Sequence, residues 1–154
     1  EYELVEYLGF PKPTEKTYAE WQKHYGLAED YEMTAEEEGK MFDEFKTTLI
    51  TDFPEMTSPF WNMSRYEDGI HSKKIDVILG GMETIGSAER STDKDQMRDT
   101  FHTITDGAYS KLLFDLFGKE RVEAELEEFL KFDFFPRVGG GIGMTRMIAA
   151  LDKK

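Results

Sequence analysis

Two acidic residues in a predicted hairpin are the strongest candidates for chemistry. Residues 73–79 alternate around Asp76, Gly80-Gly81 can turn the chain, and residues 82–88, which include Glu83, are predicted to form a second strand. In either possible register the two carboxylates share a face, with Cβ atoms about 5–8 Å apart. Carboxylates this close repel unless a cation or a shared proton lies between them, and Mg²⁺ takes one or two carboxylates together with phosphates and water. The alternative is an exposed strand face with solvated acids.

Arg90 is a third candidate, although its spacing is unusual. It lies seven residues after Glu83, so a regular strand would direct the two side chains to opposite faces. A bulge at Gly86-Ser87 would return Arg90 to the face of Glu83, because glycine within a strand often marks a bulge. An arginine in that place could bind a carboxylate through two hydrogen bonds. The alternative is a surface ion pair with a neighbouring acid.

A glycine-rich run at residues 139–143 precedes a predicted helix over residues 144–151, with Arg146 in its first turn. The run lacks the Lys-Ser/Thr ending of a P-loop, and Arg146 stands where a dinucleotide-binding fingerprint requires glycine. A cation in the first turn is unfavourable against the helix dipole. Arg146 is therefore expected to have an anionic partner, for which a phosphate is one candidate.

The composition excludes several other classes of function. The net charge is −13, and residues 1–55 contain 15 acidic and 5 basic residues, which argues against a free-standing nucleic-acid binder and is typical of a solvated helical surface. Cysteine is absent, which excludes disulfides and thiol nucleophiles and favours a reducing compartment, so we expect a cytoplasmic protein. No apolar run is long enough for a membrane span. The three histidines lack partners at metal-binding spacing: His24, His71 and His102.

The elements that must position these residues begin with short helices over residues 1–46. Thr34 and Glu37 have the spacing of a capping box, and either Thr14 or Thr17 can cap an earlier helix. The pattern then changes to β-branched residues. The elements predicted from there are a strand at 47–51, the hairpin, a helix over 95–117 that breaks at 106–107, a helix over 121–132 and the final helix.

Three segments, in this order, resemble the class II aminoacyl-tRNA synthetases of the aspartyl, asparaginyl and lysyl subgroup. They are Thr51-Asp52-Phe53-Pro54 through Ser58-Pro59-Phe60-Trp61, Ile75 through Glu83, and Gly139 through Arg146, the last of which resembles motif 3. The resemblance implies an α+β fold, an antiparallel sheet flanked by helices, of which this chain is part. It also implies a division into a helical lead-in or insertion at 1–46 and the C-terminal half of the catalytic domain at 47–154, with motif 3 at 139–151.

The resemblance assigns roles to the candidate residues. Asp76 and Glu83 would hold the Mg²⁺ that accompanies ATP, and Arg146 would lie against ATP, with Glu83 and Arg146 as the catalytic pair. The backbone at Gly141 and Gly143 would approach the nucleotide.

Arg90 matches, in its distance from Glu83, the arginine that binds the amino acid in aspartyl and asparaginyl enzymes. Ser87 would also contact the amino acid. Two other positions depart from the family pattern. Thr145 replaces the acidic residue that usually precedes the motif 3 arginine, and Arg137 stands where histidine is common.

The implied function is ATP-dependent activation of asparagine or aspartate to an adenylate, followed by transfer to tRNA. An alternative is suggested by residues 86–90, which look like the corresponding stretch of archaeal asparagine synthetases; these amidate an aspartyl-adenylate with ammonia. A non-catalytic relic that acts as an interaction module is a further alternative. Motifs 1 and 2 and an anticodon-binding barrel have no counterpart in the sequence, so tRNA binding and activity are expected to need parts that the chain lacks, in a full-length homodimer.

Overall fold

The computed structural model of the chain describes residues 1–154 and contains one five-stranded sheet. Its strands are β1 (Thr14–Thr17), β2 (Thr47–Pro54), β3 (His71–Leu79), β4 (Met82–Arg90) and β5 (Arg137–Ile142). They lie in the order β1-β2-β3-β4-β5; β1 pairs parallel with β2, and the other neighbours pair antiparallel. The predicted α+β fold with helices flanking the sheet is confirmed, and the parallel β1 makes the sheet mixed.

Seven helices surround this sheet. They are α1 (Tyr2–Tyr7), α2 (Tyr18–His24), α3 (Ala35–Phe45), α4 (Lys94–Thr103), α5 (Ala108–Phe117), α6 (Lys119–Leu130) and α7 (Met144–Asp152), with short 3₁₀ turns at Glu55–Thr57 and Ile104–Gly107. A bilayer span needs about 20 apolar residues, and no helix here has the length and apolar character to cross a membrane.

The helix starts of the first third follow their capping residues. Thr17 caps α2 and Thr34 caps α3; in both, the threonine side chain accepts a backbone N–H and the glutamate three residues later completes the capping box. The cap of α2 is thus Thr17 rather than Thr14, because residues 14–17 form β1. The lead-in segment therefore contributes a strand to the sheet, and the division of the chain after residue 46 stays a prediction.

Positive φ angles mark the two main turns of the second part. Gly80 and Gly81 have φ of 62° and 85° and close the predicted hairpin between β3 and β4. The predicted break near 106–107 is confirmed, because Thr105, Asp106 and Gly107 all have positive φ between α4 and α5.

The two faces of the sheet bury different helices. On the face called here the back face, α1 and α7 pack against the sheet in a core of Val5, Phe10, Leu49, Val77, Leu79, Ile85, Met147 and Ala150. On the opposite, front face, α2 packs over β1 and β2, and α3 extends across β2 and β3 to the start of β4. Their core consists of Tyr18, Trp21, Met41, Ile50, Phe53 and Ile78. A third core joins α4 and α6 to Trp61. On the front face, Gly141 of β5 is exposed and a Cβ there would meet nothing within 4 Å; the front face along β4 and β5 is called the groove below.

Candidate active site

A β-bulge in β4 decides which side chains share the front face. Glu83 lies opposite Ile78, whereas Ile85 lies opposite Val77, so Thr84 is an extra residue with no counterpart in β3. The extra residue shifts the alternation of β4 by one. Glu83 therefore shares its face with even-numbered residues farther along the strand.

The bulge brings the carboxylates of Asp76 and Glu83 together. Asp76 lies opposite Gly86 and diagonal to Glu83, one of the two predicted arrangements. A Cβ built on Gly86 would lie 2.7 Å from Glu83 Oε1 and 3.2 Å from Asp76 Oδ1. The two carboxylates thus converge on one point, which glycine leaves open.

Asp76 is buried and only partly compensated. Its Oδ2 accepts a hydrogen bond from the Lys74 ammonium, whereas Oδ1 is buried and has no hydrogen-bond partner. Burial raises the pKa of Asp76 from 3.8 to about 6, and the charge of Lys74 works against that rise. The charges of Glu83 and Glu38 are smaller contributors to this same rise.

This pair of carboxylates fits a hard divalent cation. An unpartnered buried carboxylate oxygen is costly, and a cation between Asp76 and Glu83 would satisfy it. No group of three or more His, Cys, Asp or Glu side chains is arranged to hold a metal ion, so this site offers two carboxylates as ligands. Two carboxylates suit Mg²⁺ bound together with substrate phosphates rather than an all-protein metal cage.

Arg90 lies on the same front face, which its spacing from Glu83 alone would not allow. The predicted bulge is present in β4 and brings Arg90 to the face of Glu83. It lies at Thr84, however, and not at Gly86-Ser87 as predicted, because those two residues pair regularly with β5. Arg90 Nη1 donates to Asn62 Oδ1 at 3.2 Å and Nη2 to the carbonyl of Gly139 at 3.0 Å. Burial lowers the pKa of Arg90, and neighbouring Arg137 lowers it further.

Arg146 stands at the other end of the groove, in the first turn of α7. Its Nη1 donates to the carbonyl of Glu83 at 2.7 Å, so its guanidinium lies beside the bulge and the carboxylate pair. Gly143 supplies the N-cap of α7, and its N–H bonds to the carbonyl of Thr84. Gly141 lies opposite Gly86, and a Cβ there would meet nothing within 4 Å.

Three of the six arginines have no ion pair, and all three lie at this groove. Arg65, Arg98 and Arg121 each bind a carboxylate. Arg90, Arg137 and Arg146 bond only to neutral oxygens: carbonyls and the Asn62 side chain. In a chain with 32 acidic residues, unpaired arginines beside an incompletely compensated carboxylate indicate a site for charged ligands.

The sequence profile of the family described as class II tRNA synthetases (D, K and N) matches residues 3–154. The chain belongs to this family. Among curated protein sequences none matches the chain.

Solved synthetases share the fold of this class II chain. Asparaginyl-tRNA synthetase from Entamoeba histolytica, in complex with asparaginyl-adenylate, is 16% identical with a TM-score of 0.71, over 99% of this chain and 36% of its own. The asparaginyl-adenylate complex of asparaginyl-tRNA synthetase from Pyrococcus horikoshii is 19% identical with a TM-score of 0.70, over 94% and 32%. Aspartyl-tRNA synthetase from Entamoeba histolytica is 19% identical with a TM-score of 0.66, over 91% and 29%. The chain thus spans about a third of these synthetases.

Not every predicted site residue of this class II chain reaches the groove. The predicted residues that lie at the groove are Asp76, Glu83, Arg90, Arg146 and the backbone of the glycine run. Ser87 does not: it lies opposite Gly140 on the back face, and its hydroxyl donates to the carboxylate of Glu1.

Three residues of this chain that lie beside the candidate site were not identified from the sequence. Lys74 lies two residues before Asp76 on the same strand, and that period-2 spacing could have found it. Asn62 and Glu38 carry no sequence signal, because they come from other elements. Glu38, on α3, accepts the backbone N–H of Glu83 at 2.9 Å.

Proposed function

We propose that this chain forms the part of an amino-acid-activating site that binds ATP and the amino acid, in an asparaginyl- or aspartyl-tRNA ligase. The observation that carries the proposal is the set of charges on the front face: two converging carboxylates and three arginines without ion pairs. Charged groups left uncompensated on one open face suit a ligand that brings both a cation and anions. Magnesium-bound ATP and an amino acid together meet that description.

The reaction proposed is adenylate formation. A carboxylate oxygen of the amino acid forms a bond to the α-phosphorus of ATP, the bond to the bridging oxygen breaks, and pyrophosphate leaves with that electron pair. Asp76 and Glu83 would hold Mg²⁺, which neutralises phosphate charge when bound. The guanidinium of Arg146 would lie against the phosphates and stabilise the negative charge that develops on them.

The amino acid would bind at the Arg90 end of the groove. Asn62 and the Gly139 carbonyl fix the Arg90 guanidinium, and its remaining N–H groups can donate to both oxygens of a carboxylate. A preset guanidinium lowers the entropic cost of orienting the substrate.

A non-catalytic relic is the competing hypothesis. Packing does not need Arg90 and Arg146 to be arginine, and a buried, partnerless oxygen on Asp76 costs stability. The presence of all three residues in one chain therefore supports the hypothesis of an enzyme over that of an interaction module.

The decisive experiment is ATP–pyrophosphate exchange with aspartate or asparagine, using the full polypeptide to which this chain belongs. Glu83→Gln should lower exchange by at least about a hundredfold, because loss of a preorganised charged group at a reacting site costs that order of rate. Glu89→Gln is the matched control, since Glu89 is on the same strand but forms a back-face ion pair with Lys73. An unchanged rate in Glu83→Gln would sink the metal assignment, and absence of exchange in the unaltered protein would favour the relic.

The alternative enzyme is an asparagine synthetase of the synthetase-derived type, which shares the adenylate step. Formation of free asparagine from aspartate, ATP and ammonia would identify it, whereas esterification of tRNA would identify a ligase. Binding of tRNA through other parts of a full-length homodimer, and a location in the cytoplasm, stay predictions.

A further inference from the structure

Arg90 and Arg137 form an unusual pair of like charges. They lie directly opposite each other on β4 and β5, where like charges are destabilising. Neither has a carboxylate partner, although the chain has 32 acidic residues to 19 basic ones. A repulsive pair left uncompensated in so acidic a chain points to an anionic ligand.

Neutral groups hold both guanidiniums in place. The carbonyls of Ser91 and Phe135 each accept a bond from Arg137 Nη1 at 3.3 Å, and the Arg137 guanidinium lies 4.7 Å from the centre of the Phe134 ring. Arg90 is held by an amide oxygen and a carbonyl. Each guanidinium has five N–H donors, so both keep donors for a ligand.

Asn62 adds a donor to this end of the groove. Its Oδ1 accepts from Arg90, and no hydrogen bond within the chain uses its NH₂ group. Its loop is fixed by Arg65, which donates to the carbonyls of Pro59, Phe60 and Met63. The Asn62 side chain is therefore held with its oxygen bonded to Arg90 and its NH₂ group free to donate to a ligand.

We infer that Arg90, Arg137 and the Asn62 amide form a donor-only subsite that selects aspartate over asparagine. The inference rests on the proposed function, which leaves these two amino acids undecided. A side-chain carboxylate offers only acceptors and matches every group in this subsite. A carboxamide also presents an NH₂ that needs an acceptor, and a donor facing donors loses its hydrogen bond on leaving water. Arg137 is thereby a specificity-determining residue.

The test is calorimetric titration of L-aspartate and of L-asparagine into the protein saturated with Mg²⁺ and a non-hydrolysable ATP analogue. Aspartate should bind at least about tenfold more tightly, as expected for a charge-assisted bond compared with an unsatisfied donor. Arg137→Gln should weaken aspartate about tenfold and leave asparagine within about twofold. Arg137→Lys keeps the charge and should retain part of the preference. Arg121→Gln, at an exposed arginine paired with Glu125 on α6, is the matched control and should change neither affinity.

Equal affinities, tighter binding of asparagine, or an unchanged preference in Arg137→Gln would overturn the inference. Titration of the nucleotide analogue alone separates this failure from failure of the proposed function. If the analogue binds but neither amino acid does, the aspartate subsite is refuted and the nucleotide site stands. If the analogue itself does not bind, the proposed function fails.

Discussion

Gly86→Ala isolates the metal site from the stability of the fold. The added methyl carbon would lie 2.7 Å from Glu83 Oε1 and 3.2 Å from Asp76 Oδ1, both shorter than ordinary contact. The nearer group is the free end of a flexible side chain, so it can withdraw at little cost. Gly86 does not have a positive φ, so alanine fits its backbone, and loss of glycine's freedom in the unfolded chain stabilises by about 0.4–1 kcal/mol. The unfolding free energy should therefore change by no more than about 1 kcal/mol.

Metal binding should respond very differently. The methyl group would occupy the point on which the two carboxylates converge and would separate them. Loss of one charged ligand contact is worth about 1.5–3 kcal/mol, so affinity for Mg²⁺ or Mn²⁺ in the presence of ATP should fall roughly 10- to 100-fold.

Gly39→Ala is the matched control for this substitution. Gly39 is on α3, outside the candidate binding residues; it does not have a positive φ, and a Cβ there meets nothing within 4 Å. Urea unfolding gives the stability of both variants, and Mn²⁺ paramagnetic resonance in the presence of ATP gives their metal affinity. Unchanged metal affinity in Gly86→Ala would refute a cation shared by Asp76 and Glu83. A loss of several kcal/mol in stability would refute the claim that Glu83 can withdraw cheaply.

Three further substitutions or titrations test other parts of the structure. The pKa of Asp76 is raised from 3.8 to about 6, so protonation of this carboxyl group stabilises the folded protein by an amount on the order of 3 kcal/mol. The stabilisation is complete below pH ~4 and is lost as the pH rises through ~6. The unfolding free energy of Asp76→Asn, measured against pH, should lack this loss. Thr34→Ala removes the capping box with buried Glu37 and should lower the unfolding free energy by about 1–2 kcal/mol in urea denaturation. Arg146→Gln removes one bond from an exposed side chain to the carbonyl of Glu83; unfolding should shift by less than about 0.5 kcal/mol, while calorimetry should show nucleotide binding weakened about tenfold.

The hairpin was predictable because its signals are local. Alternation between residues 73 and 79, and a glycine pair that tolerates positive φ, determine both the turn and the face of Asp76. Glu83 follows from the turn within either register. The candidate metal ligands therefore needed no knowledge of the rest of the fold.

The position of the bulge was not predictable from the strand itself. Glycine suggested residues 86–87, but the extra residue is Thr84, whose hydroxyl donates to the carbonyls of Leu79 and Met82 while its own carbonyl accepts the N–H of Gly143. That last partner comes from a segment 59 residues away, between β5 and α7. Tertiary contacts thus decide where the bulge lies, and sequence spacing could indicate only that one was needed.

The same limit applies to the charge of the first third of the chain. Its acidic residues were expected to form a solvated surface, yet α3 brings Glu38 to the bulge, where it accepts the N–H of Glu83. Burial raises the pKa of Glu38, and the charge of Arg146 works against the rise. No local pattern distinguishes Glu38 from its exposed neighbour Glu36.

The distribution of charge along the groove gives a physical reason for the order in which the proposed substrates would bind. At the bulge end, Glu38, Asp76 and Glu83 place three acids beside two cations, so a triphosphate without its metal would meet repulsion there. At the other end, Arg90 and Arg137 form no ion pair and bond only to neutral oxygens. A metal-bound triphosphate is favoured at the first end and a free carboxylate at the second, since Coulomb energies at such short range exceed thermal energy even near a protein surface. The net charge of −13 therefore does not describe the groove. The groove changes from acids at one end to arginines at the other, and this change in charge favours binding of the two proposed substrates in only one order.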